Sequence, residues 1–239
     1  NNAAYQYEGA GKGNITLRRC EVFGVVDQLK VNFGHGRFYN NWIHDGYGWL
    51  LDPQQGNPPG TGRSHVDGVQ TVPTGNITDI IISENRFDCW AFREGEAGQA
   101  AYFADTTPQG SAWYNTTFDH RYTTGILLST MNNTAYTIAE VLVEDNVFDG
   151  AVYAWFSLNG WDEGPQAALG AGTCIVQNNT FKRRFTTTGG DNQPHLTYYA
   201  SRKMMDVAPG AEHLVIWYNN TDADTAAVIF LPGVDNTAP

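Results

Sequence analysis

The sequence predicts an all-β fold, a right-handed parallel β-helix (a solenoid) of about five or six coils, from three observations. A strand phrase that ends in Asn recurs along the chain, and a second phrase built around Asp-Gly alternates with it. The apolar runs are short, rich in β-branched residues and bounded by Gly, Asn and Pro. Helical solenoids need longer amphipathic runs, so we interpret residues 1–239 as one β-helical domain.

The Asn-ended phrase is an apolar residue, two further residues, Asn, one residue and another apolar residue. Copies lie at residues 38–43, 82–87, 143–148 and 176–181. An earlier copy, residues 17–22, has Cys20 where the others have Asn. Equivalent residues of neighbouring parallel strands lie about 4.8 Å apart. We therefore expect the Asn side chains to hydrogen-bond one another and the turn backbone.

The Asp-Gly phrase supplies the second strand of each coil. Residues 26–31 align with 66–71, more loosely with 123–128, and residues 150–155 are a shorter-linked version. The smallest coil, from Cys20 to Asn41, takes 21 residues. That length suits a right-handed parallel β-helix.

Two coils are much longer than the first. From the Asn phrase to the Asp-Gly phrase the chain takes 7 residues in the first coil, but 26 and 39 in the next two. We place insertions at about 46–64 and 88–122, and a third at about 182–203, all at one corner. Residues 157–172 form an insertion at a different corner. Loops that gather on one edge of a rigid stack are where function is usually found.

Composition restricts the function classes. The chain is 41% apolar and 13% aromatic but only 16% charged, a balance typical of sugar binding or subunit contacts. The net charge of −11 argues against nucleic acid and anionic membranes as partners. No apolar run approaches the roughly 18 residues of a membrane span, and no signal peptide is visible. The chain begins at Asn1 rather than Met, which suits a processed product or a fragment of a longer polypeptide.

Three cysteines lie in or beside apolar strand phrases and are not closely spaced: Cys20, Cys89 and Cys174. An odd number without close spacing favours buried free thiols over a disulfide or a metal site. Free thiols favour assembly in a reducing cytosol, which suits a phage particle as well as an ordinary bacterial protein.

The order of motifs resembles a known group. Residues 41–45 (Asn-Trp-Ile-His-Asp), residues 65–70 (His-Val-Asp-Gly-Val-Gln) and the Asn-ended strand at 76–87 are similar to right-handed parallel β-helix proteins of the pectate-lyase-like superfamily. The similarity is strongest to bacterial and phage tail or tailspike proteins with His-x-Asp-Gly-(Ile/Val)-Gln between two Asn-ended strands. It covers about residues 14–156 and is looser thereafter. The superfamily includes lyases, glycoside hydrolases, tailspikes and binding-only virion proteins, so fold does not fix activity.

Two His-Asp pairs beside the first insertion are the candidate catalytic residues. Imidazoles and carboxylates together can perform acid–base hydrolysis or hold a divalent cation such as Ca²⁺. The four residues are His44, Asp45, His65 and Asp67.

The strand geometry leaves the role of the second pair open. In an unbroken strand Asp67 and Val69 share one face while Gln70 points the other way. Asp67 then reaches the outer surface only through a bend, which Gly68 permits. In the alternative interpretation Asp67 caps the turn backbone and His65 packs under the first inserted loop.

Basic and aromatic residues supply the candidate substrate contacts. Lys30 occupies the same column as Gln70, and lyases of this fold class use Lys or Arg to remove the proton beside a uronic carboxylate, often with Ca²⁺. Lys30 lies in the plain first coil, so the better acidic-sugar patch is formed by the basic groups that bracket the third insertion, Arg202-Lys203 and residues 182–184 (Lys-Arg-Arg). Solvated turn charges or a subunit contact are the alternative. The candidate substrate-binding residues are Gln70, Lys30, Trp49, Trp90, Arg93, Trp113, Arg202 and Lys203.

A Gly-His-Gly triplet is not taken as a catalytic motif. The triplet at residues 34–36 (Gly-His-Gly) resembles a polygalacturonase motif, but here it precedes every comparable strand. We interpret it as a turn that contains a histidine.

Three functions fit these features. The favoured one is a carbohydrate-interacting appendage, a phage tail or tailspike protein or another virion surface protein. The others are a secreted polysaccharide lyase or glycoside hydrolase and a purely structural virion protein. We expect a polysaccharide or cell-surface glycan as partner, a homo-oligomer (a trimer is one form) or larger assembly, and a location at the virion surface or outside the cell. No nucleic acid, membrane or certain cofactor is predicted; Ca²⁺ is possible, and catalysis is left open.

Overall fold

The repeated strand phrases form three β-sheets in the computed structural model of this protein, and none of the described residues is helical. The described residues are 3–7, 14–32, 34–48, 66–71, 75–93, 122–128, 137–150, 152–158, 174–182, 205–207, 215–223, 227–228 and 237–238.

Nineteen strands make up these sheets. Sheet A contains β1 (Ala3–Tyr7), β4 (Asp27–Val31), β7 (Asp67–Thr71), β10 (Tyr122–Leu128), β13 (Val152–Leu158) and β16 (Met205–Val207). Sheet B contains β2 (Ile15–Arg18), β5 (Gly36–Tyr39), β8 (Ile77–Ser83), β11 (Ile138–Glu144), β14 (Cys174–Gln177) and β17 (Val215–Tyr218). Sheet C contains β3 (Glu21–Val22), β6 (Trp42–Gly48), β9 (Arg86–Arg93), β12 (Val147–Gly150), β15 (Thr180–Phe181), β18 (Thr221–Asp222) and β19 (Ala227–Val228).

From β2 to β18 the chain visits sheets B, C and A in turn. Each strand from β1 to β15 pairs in parallel with the strand three places later, as β2 does with β5 and β3 does with β6. This order is compatible with the predicted parallel β-helix. Strand β19 departs from it, because it pairs antiparallel with β18.

The register confirms the alignment of the Asp-Gly phrases. Asp27 pairs with Asp67, Lys30 pairs with Gln70, and Asp67 pairs in turn with Thr124. Lys30 and Gln70 thus share a column, as predicted.

The fourth copy of that phrase is shifted by three residues from its predicted alignment. Thr124 pairs with Ala154, whereas the prediction starts the phrase at Gly150. Gly150 instead ends β12, where it pairs with Cys89. The strand of sheet C continues to Gly150, so the next strand of sheet A begins later than the sequence pattern indicates.

One hydrophobic cluster takes side chains from all three sheets, so the core lies between them. Phe87, Phe148, Phe181 and Trp217 form a column of stacked rings inside it. Their successive centroids are 4.7, 5.2 and 5.8 Å apart. Parallel register in sheet C places the three phenylalanines over one another, and Trp217 joins the column from sheet B. Aromatic pairs at this spacing add about 0.5–1.5 kcal/mol beyond area burial.

The predicted Asn column is a continuous buried ladder. Its members are Asn41, Asn85, Asn146, Asn179 and Asn220. In each of the four ladder residues that follow Asn41, the side-chain Oδ1 accepts two hydrogen bonds of 2.9–3.0 Å. The donors are the backbone N–H and the Nδ2 of the ladder residue in the preceding coil. At the first coil the Cys20 N–H donates to Asn41 Oδ1 at 3.0 Å. The amide side chain is required because one oxygen and one NH₂ group must bond in both directions along the stack.

The residue directly before each ladder position adopts a left-handed backbone. This conformation turns the chain from sheet B into sheet C in one residue. Asn and Asp tolerate it best among non-glycine residues, and they supply four of the six positions. The residues are Arg19, Asn40, Glu84, Asp145, Asn178 and Asn219, with φ of 50–57°.

The long insertions leave the stack at one corner, as predicted. The segments between β6 and β7, β9 and β10, and β15 and β16 all link sheet C to sheet A. The segment between β13 and β14 links sheet A to sheet B. The first two insertions begin later than predicted, because β6 continues to Gly48 and β9 to Arg93 in mutual pairing. Aromatic residues with high strand propensity, such as Trp90, extend this pair.

Both ends of the described chain differ from prediction. Strand β1 pairs with β4 and was not expected from the sequence pattern. Residues 227 and 228 form β19, which pairs antiparallel with β18 and so departs from the parallel order of the preceding strands. The two residues of β19 pair with β18, and β19 is then the last strand of sheet C.

The cysteines agree with the thiol prediction in part. Cys174 is a free, buried thiol, and burial raises its pKa to about 12, so it is protonated at neutral pH. Cys20 is also free, but it is only partly buried. The side chain of Cys89 lies outside the described residues. Among the described residues, no helix has the length and apolar character to cross a membrane.

Candidate functional site

The outer face of sheet C carries an exposed group of aromatic side chains. Side chains alternate along a strand, so Ile43 faces the core while Trp42 and His44 face outward. Trp42 is 44% exposed, and Phe23, just after β3, is 56% exposed. Large apolar side chains held in water at this level are candidates for ligand contact.

His44 lies between these two rings and is only 7% exposed. Its ring centroid is 4.0 Å from that of Trp42 and 5.3 Å from that of Phe23, with interplanar angles of 25° and 17°. Its Nδ1 lies 2.9 Å from Asp45 Oδ2 and its Nε2 lies 3.0 Å from Glu21 Oε1. Ionised carboxylates only accept hydrogen bonds, so a doubly protonated imidazole satisfies both contacts and a neutral one satisfies a single contact.

The indole of Trp42 is fixed by a second contact. Its Nε1–H donates to Asp88 Oδ2 at 2.7 Å. Arg86 Nε donates to both oxygens of Asp88, at 2.9 and 3.0 Å, and this bond raises the pKa of the guanidinium. Trp42 therefore has one face against His44, its polar edge tied to Asp88 and much of its surface in water.

A β-bulge sets the position of Asp45. Cys89 and Trp90 of β9 lie opposite the single residue Asp45 of β6, where the register shifts. Asp45 has φ of 45°, and its carbonyl accepts from the Gly24 N–H at 2.8 Å. Bulges redirect side chains, and this one places the carboxylate beside the His44 ring.

We call this group the C-sheet patch. It combines apolar ring surface with carboxylate acceptors on one outer face. Its members are Glu21, Phe23, Trp42, His44, Asp45 and Asp88.

The structure brings together two of the four candidate catalytic residues. His44 and Asp45 are hydrogen-bonded in the C-sheet patch. Asp67 is fully buried at the start of β7 in sheet A, and both ring nitrogens of His44 already face other carboxylates. His65 lies outside the described residues. The described residues thus provide a His-Asp pair at the surface and an internal Asp67.

The bend that Gly68 would permit does not occur. Gly68 lies in the middle of β7, where it is paired in register with its neighbours. A Cβ at this position would lie 2.5 Å from the Gly125 carbonyl oxygen and 2.9 Å from Phe87 Cδ1. The glycine therefore allows close approach between coils and does not redirect Asp67 outward.

Two candidate substrate-binding residues are engaged within the fold. Gln70 is expected on the outer surface, but all residues of β7 are buried and its own side chain is 8% exposed. Lys30 Nζ forms an ion pair with Asp27 Oδ2 at 2.8 Å, and both side chains are largely buried. Neither residue offers a free group to a large ligand in this structure.

The side chains of the remaining candidates lie outside the described residues. Trp90 and Arg93 lie on β9, where the backbone is described and the side chains are not. Four further candidates lie outside the described residues: Trp49, Trp113, Arg202 and Lys203.

Sequence reasoning missed most of the C-sheet patch, namely Glu21, Phe23, Trp42 and Asp88. The signal was present in the ladder alignment, because residues one and three places after each ladder position face outward on sheet C. Applied to the first three copies, that rule selects Glu21 with Phe23, Trp42 with His44, and Arg86 with Asp88.

A second polar cluster lies on the outer face of sheet B. His35 Nδ1 lies 2.7 Å from Asp79 Oδ2, and Arg37 donates to Asp79 Oδ1 at 2.6 Å and to its backbone carbonyl. These two contacts lower the pKa of the Asp79 carboxyl. His35 and Asp79 share a column of left-handed residues with Asn14 and Glu140. The cluster ties two neighbouring coils together, so the His35 turn is also a stabilising contact.

Asp79→Asn is expected to lower the free energy of unfolding by less than about 1 kcal/mol at pH 7, since the ion pairs are solvent-screened. The folded-state pKa lies below the usual 3.8, so this contribution is complete above that pH and is lost as pH falls through the folded-state value. Urea unfolding at pH 7 and pH 3 should show the difference from wild type shrinking at pH 3. Asp145→Asn, an exposed left-handed position, is the matched control; an equal loss there would contradict the assignment.

Among the residues that the structure describes, no group of three or more His, Cys, Asp or Glu side chains is placed to hold a metal ion. The predicted Ca²⁺ stays a prediction. No protein-family model, curated protein or solved structure matches this chain.

Proposed function

We propose that the C-sheet patch binds carbohydrate. The observation that carries this proposal is the indole of Trp42, exposed to water yet held on its face by His44 and at its edge by Asp88. Sugar rings present apolar C–H faces that pack against aromatic rings, and their hydroxyls need acceptors close by. A fixed ring beside carboxylates provides both.

Preorganisation favours this use of the ring. An exposed tryptophan that is free to rotate loses conformational entropy when a ligand binds, whereas Trp42 is already restrained by stacking and by a hydrogen bond at 2.7 Å. Phe23, on the other side of His44, extends the apolar surface. Trp42 and Phe23 flank the covered His44 ring and offer a ligand exposed apolar surface at two neighbouring strands.

The described geometry favours binding over hydrolysis or lyase chemistry. His44 is covered by two rings and both of its ring nitrogens are occupied, so it is poorly placed to exchange protons with a substrate. Asp67 is fully buried, and Lys30 is ion-paired to Asp27. A polysaccharide lyase or hydrolase therefore has less support from the described residues than a binding surface.

For the fold and biological setting we propose a right-handed parallel β-helix of the pectate-lyase-like type in an extracellular or virion-surface appendage, as in phage tails and tailspikes. The B–C–A strand order, the buried Asn ladder and the free thiols support this proposal. Such appendages are homo-oligomers, so light scattering of the purified chain should give a mass above that of one subunit. A strictly monomeric chain would argue against the appendage and leave the binding proposal standing.

Trp42→Ala is expected to weaken glycan binding at least 10-fold, because it removes the fixed apolar platform. A glycan array should identify a ligand for the wild-type chain, and titration calorimetry should then compare the variants. Tyr39→Ala removes a half-buried ring from the outer face of sheet B and is the matched control, with binding unchanged. Equal binding by Trp42→Ala and wild type would overturn the assignment to this patch, and the absence of any bound glycan would overturn the function.

A further inference from the structure

We infer that the outer face of sheet B binds a second copy of this chain that is turned end to end. The inference rests on the homo-oligomeric appendage of the proposed function and gives that oligomer a surface and a symmetry. It starts from the charges on β2, β5, β8 and β11, which are four consecutive strands of the sheet. Along the stack, these charges are separated by sign.

The first two of these strands carry the basic residues. Arg18 ends β2 and Arg19 follows it, and both are exposed, while Arg37 on β5 is half-buried. The outward-facing and turn residues of the two strands include no Asp or Glu. Arg37 is bonded to Asp79, but neither Arg18 nor Arg19 forms an ion pair with another described residue. The β2 end of the face therefore carries positive charge.

The next two strands, β8 and β11, carry the acidic residues. Their outer face and adjoining turns include no Lys or Arg, and their carboxylates are those of Asp79, Glu84, Glu140, Glu144 and Asp145. Glu144 accepts from the neutral amide of Gln177 at 2.9 Å. Neither Glu140 nor Asp145 forms an ion pair with another described residue. The last two strands of the sheet, β14 and β17, contain no charged residue.

A face divided in this way is complementary to itself when one copy is turned end to end. A two-fold axis that runs parallel to the strands, between β5 and β8, sets β2 of each copy opposite β11 of the other. The register places Arg18 and Glu144 in one column, three strands apart. Arg18 of each copy therefore faces Glu144 of the other, and Arg19 faces Asp145. Each such contact occurs twice in a two-fold dimer.

The distances and the apolar residues suit this arrangement. Packed sheets lie about 10 Å apart, a gap that an arginine and a glutamate side chain bridge from opposite sides. Sheets packed face to face keep their strands within about 30° of each other, as a two-fold axis along the strands requires. Between the charged pairs, the half-buried side chains of Ile81 and Leu142 add apolar surface, side by side in one column.

The charges also select the direction of packing. If two copies packed these faces together with their stacks in the same direction, the basic coils of both would lie level with each other, and so would the acidic coils. Like charges that meet across an interface oppose association, whereas complementary ones favour it. The end-to-end reversal is therefore the arrangement that the face favours.

Sedimentation velocity of the full chain, over a range of protein concentrations, tests the inference. We expect a dimer that dissociates on dilution, since the contact is only four short strands wide. Its dissociation constant should rise about 10-fold between roughly 50 and 300 mM salt, because screening weakens contacts between exposed charges.

Charge reversal identifies the surface. Arg18→Glu and Glu144→Arg should each weaken dimerisation at least about 10-fold, because each sets two pairs of like charges against one another. The double variant exchanges the signs and should dimerise within about 3-fold of wild type. Lys182→Glu makes the same charge change directly after β15 of sheet C and is the matched control, with dimerisation as in wild type. Circular dichroism checks that each variant is folded.

The outcomes separate the inference from the proposed function. A dimer that neither charge reversal weakens overturns the assignment to sheet B and leaves the homo-oligomeric appendage standing. A double variant that associates no better than the single variants overturns the end-to-end orientation. A wild-type chain that is strictly monomeric overturns both the interface and the appendage. Glycan binding by the C-sheet patch is measured separately and depends on none of these results.

Discussion

Replacing Asn85 with alanine is expected to lower the free energy of unfolding by about 3–5 kcal/mol, one of the two largest effects of a single substitution that this structure predicts. Asn85 Oδ1 accepts from the backbone N–H and the Nδ2 of Asn41, and Asn85 Nδ2 donates to the Phe38 carbonyl. Asn85 Nδ2 also donates to Asn146 Oδ1, so alanine removes a partner from two donors and two acceptors. Each buried polar group that loses its partner costs about 1–3 kcal/mol.

The control for this substitution is the neighbouring Asn40→Gly. Asn40 is exposed, and glycine adopts its left-handed backbone without strain, so a loss below about 1 kcal/mol is expected. Thermal unfolding followed by circular dichroism should place Asn85→Ala about 10 °C below wild type, at roughly 2–4 °C per kcal/mol for a chain of this size. A melting temperature for Asn85→Ala within 2 °C of the control would mean that the ladder contributes little to stability.

Gly68→Ala is expected to destabilise the fold by about 3 kcal/mol. The added methyl group would lie 2.5 Å from the Gly125 carbonyl oxygen, which belongs to the paired backbone of β10, and 2.9 Å from the buried ring of Phe87. Neither neighbour can move without disturbing the sheet or the aromatic column. Overpacking of a filled core usually costs about 1–3 kcal/mol, and rigid backbone neighbours place this position at the upper end.

Gly75→Ala is the matched control, because a Cβ there meets no atom within 4 Å. Its expected effect is within about 0.5 kcal/mol of wild type, or a small gain from reduced chain entropy in the unfolded state. Urea unfolding of both variants measures the difference. Similar midpoints for the two alanine variants would show that sheet A relaxes around Gly68 and that the coils are less tightly packed there.

The ladder and the coil length could be predicted from sequence because both follow from spacing. An Asn that recurs at one position of a repeated strand phrase must stack on itself when parallel strands pair in register, and Asn41 and Asn85 do so. The corner of the insertions followed from the same spacing. The residues at which the insertions start did not follow from this spacing, because β6 and β9 remain paired in residues that the sequence pattern assigns to loops.

The sequence predicted only part of the candidate site. His44 and Asp45 stood out by residue type, and they lie in the C-sheet patch. Phe23 and Asp88 have no motif of their own, and their importance arises from contacts across strands that are far apart in sequence. Asp67 and Gln70 belong to a recognised motif, but both faces of β7 are buried, so neither side chain lies at the surface.

The strand phrases, their order, the buried Asn column and the corner of the insertions are all readable from the amino-acid pattern. These features depend on local spacing, hydrophobic pattern and the hydrogen-bonding capacity of one residue type. Contacts between strands that are distant in sequence set which polar residues are buried, which aromatic rings are exposed and which charges are paired. Those outcomes depend on what the neighbouring coil places opposite each side chain, as when Asp88 of β9 accepts from Trp42 of β6.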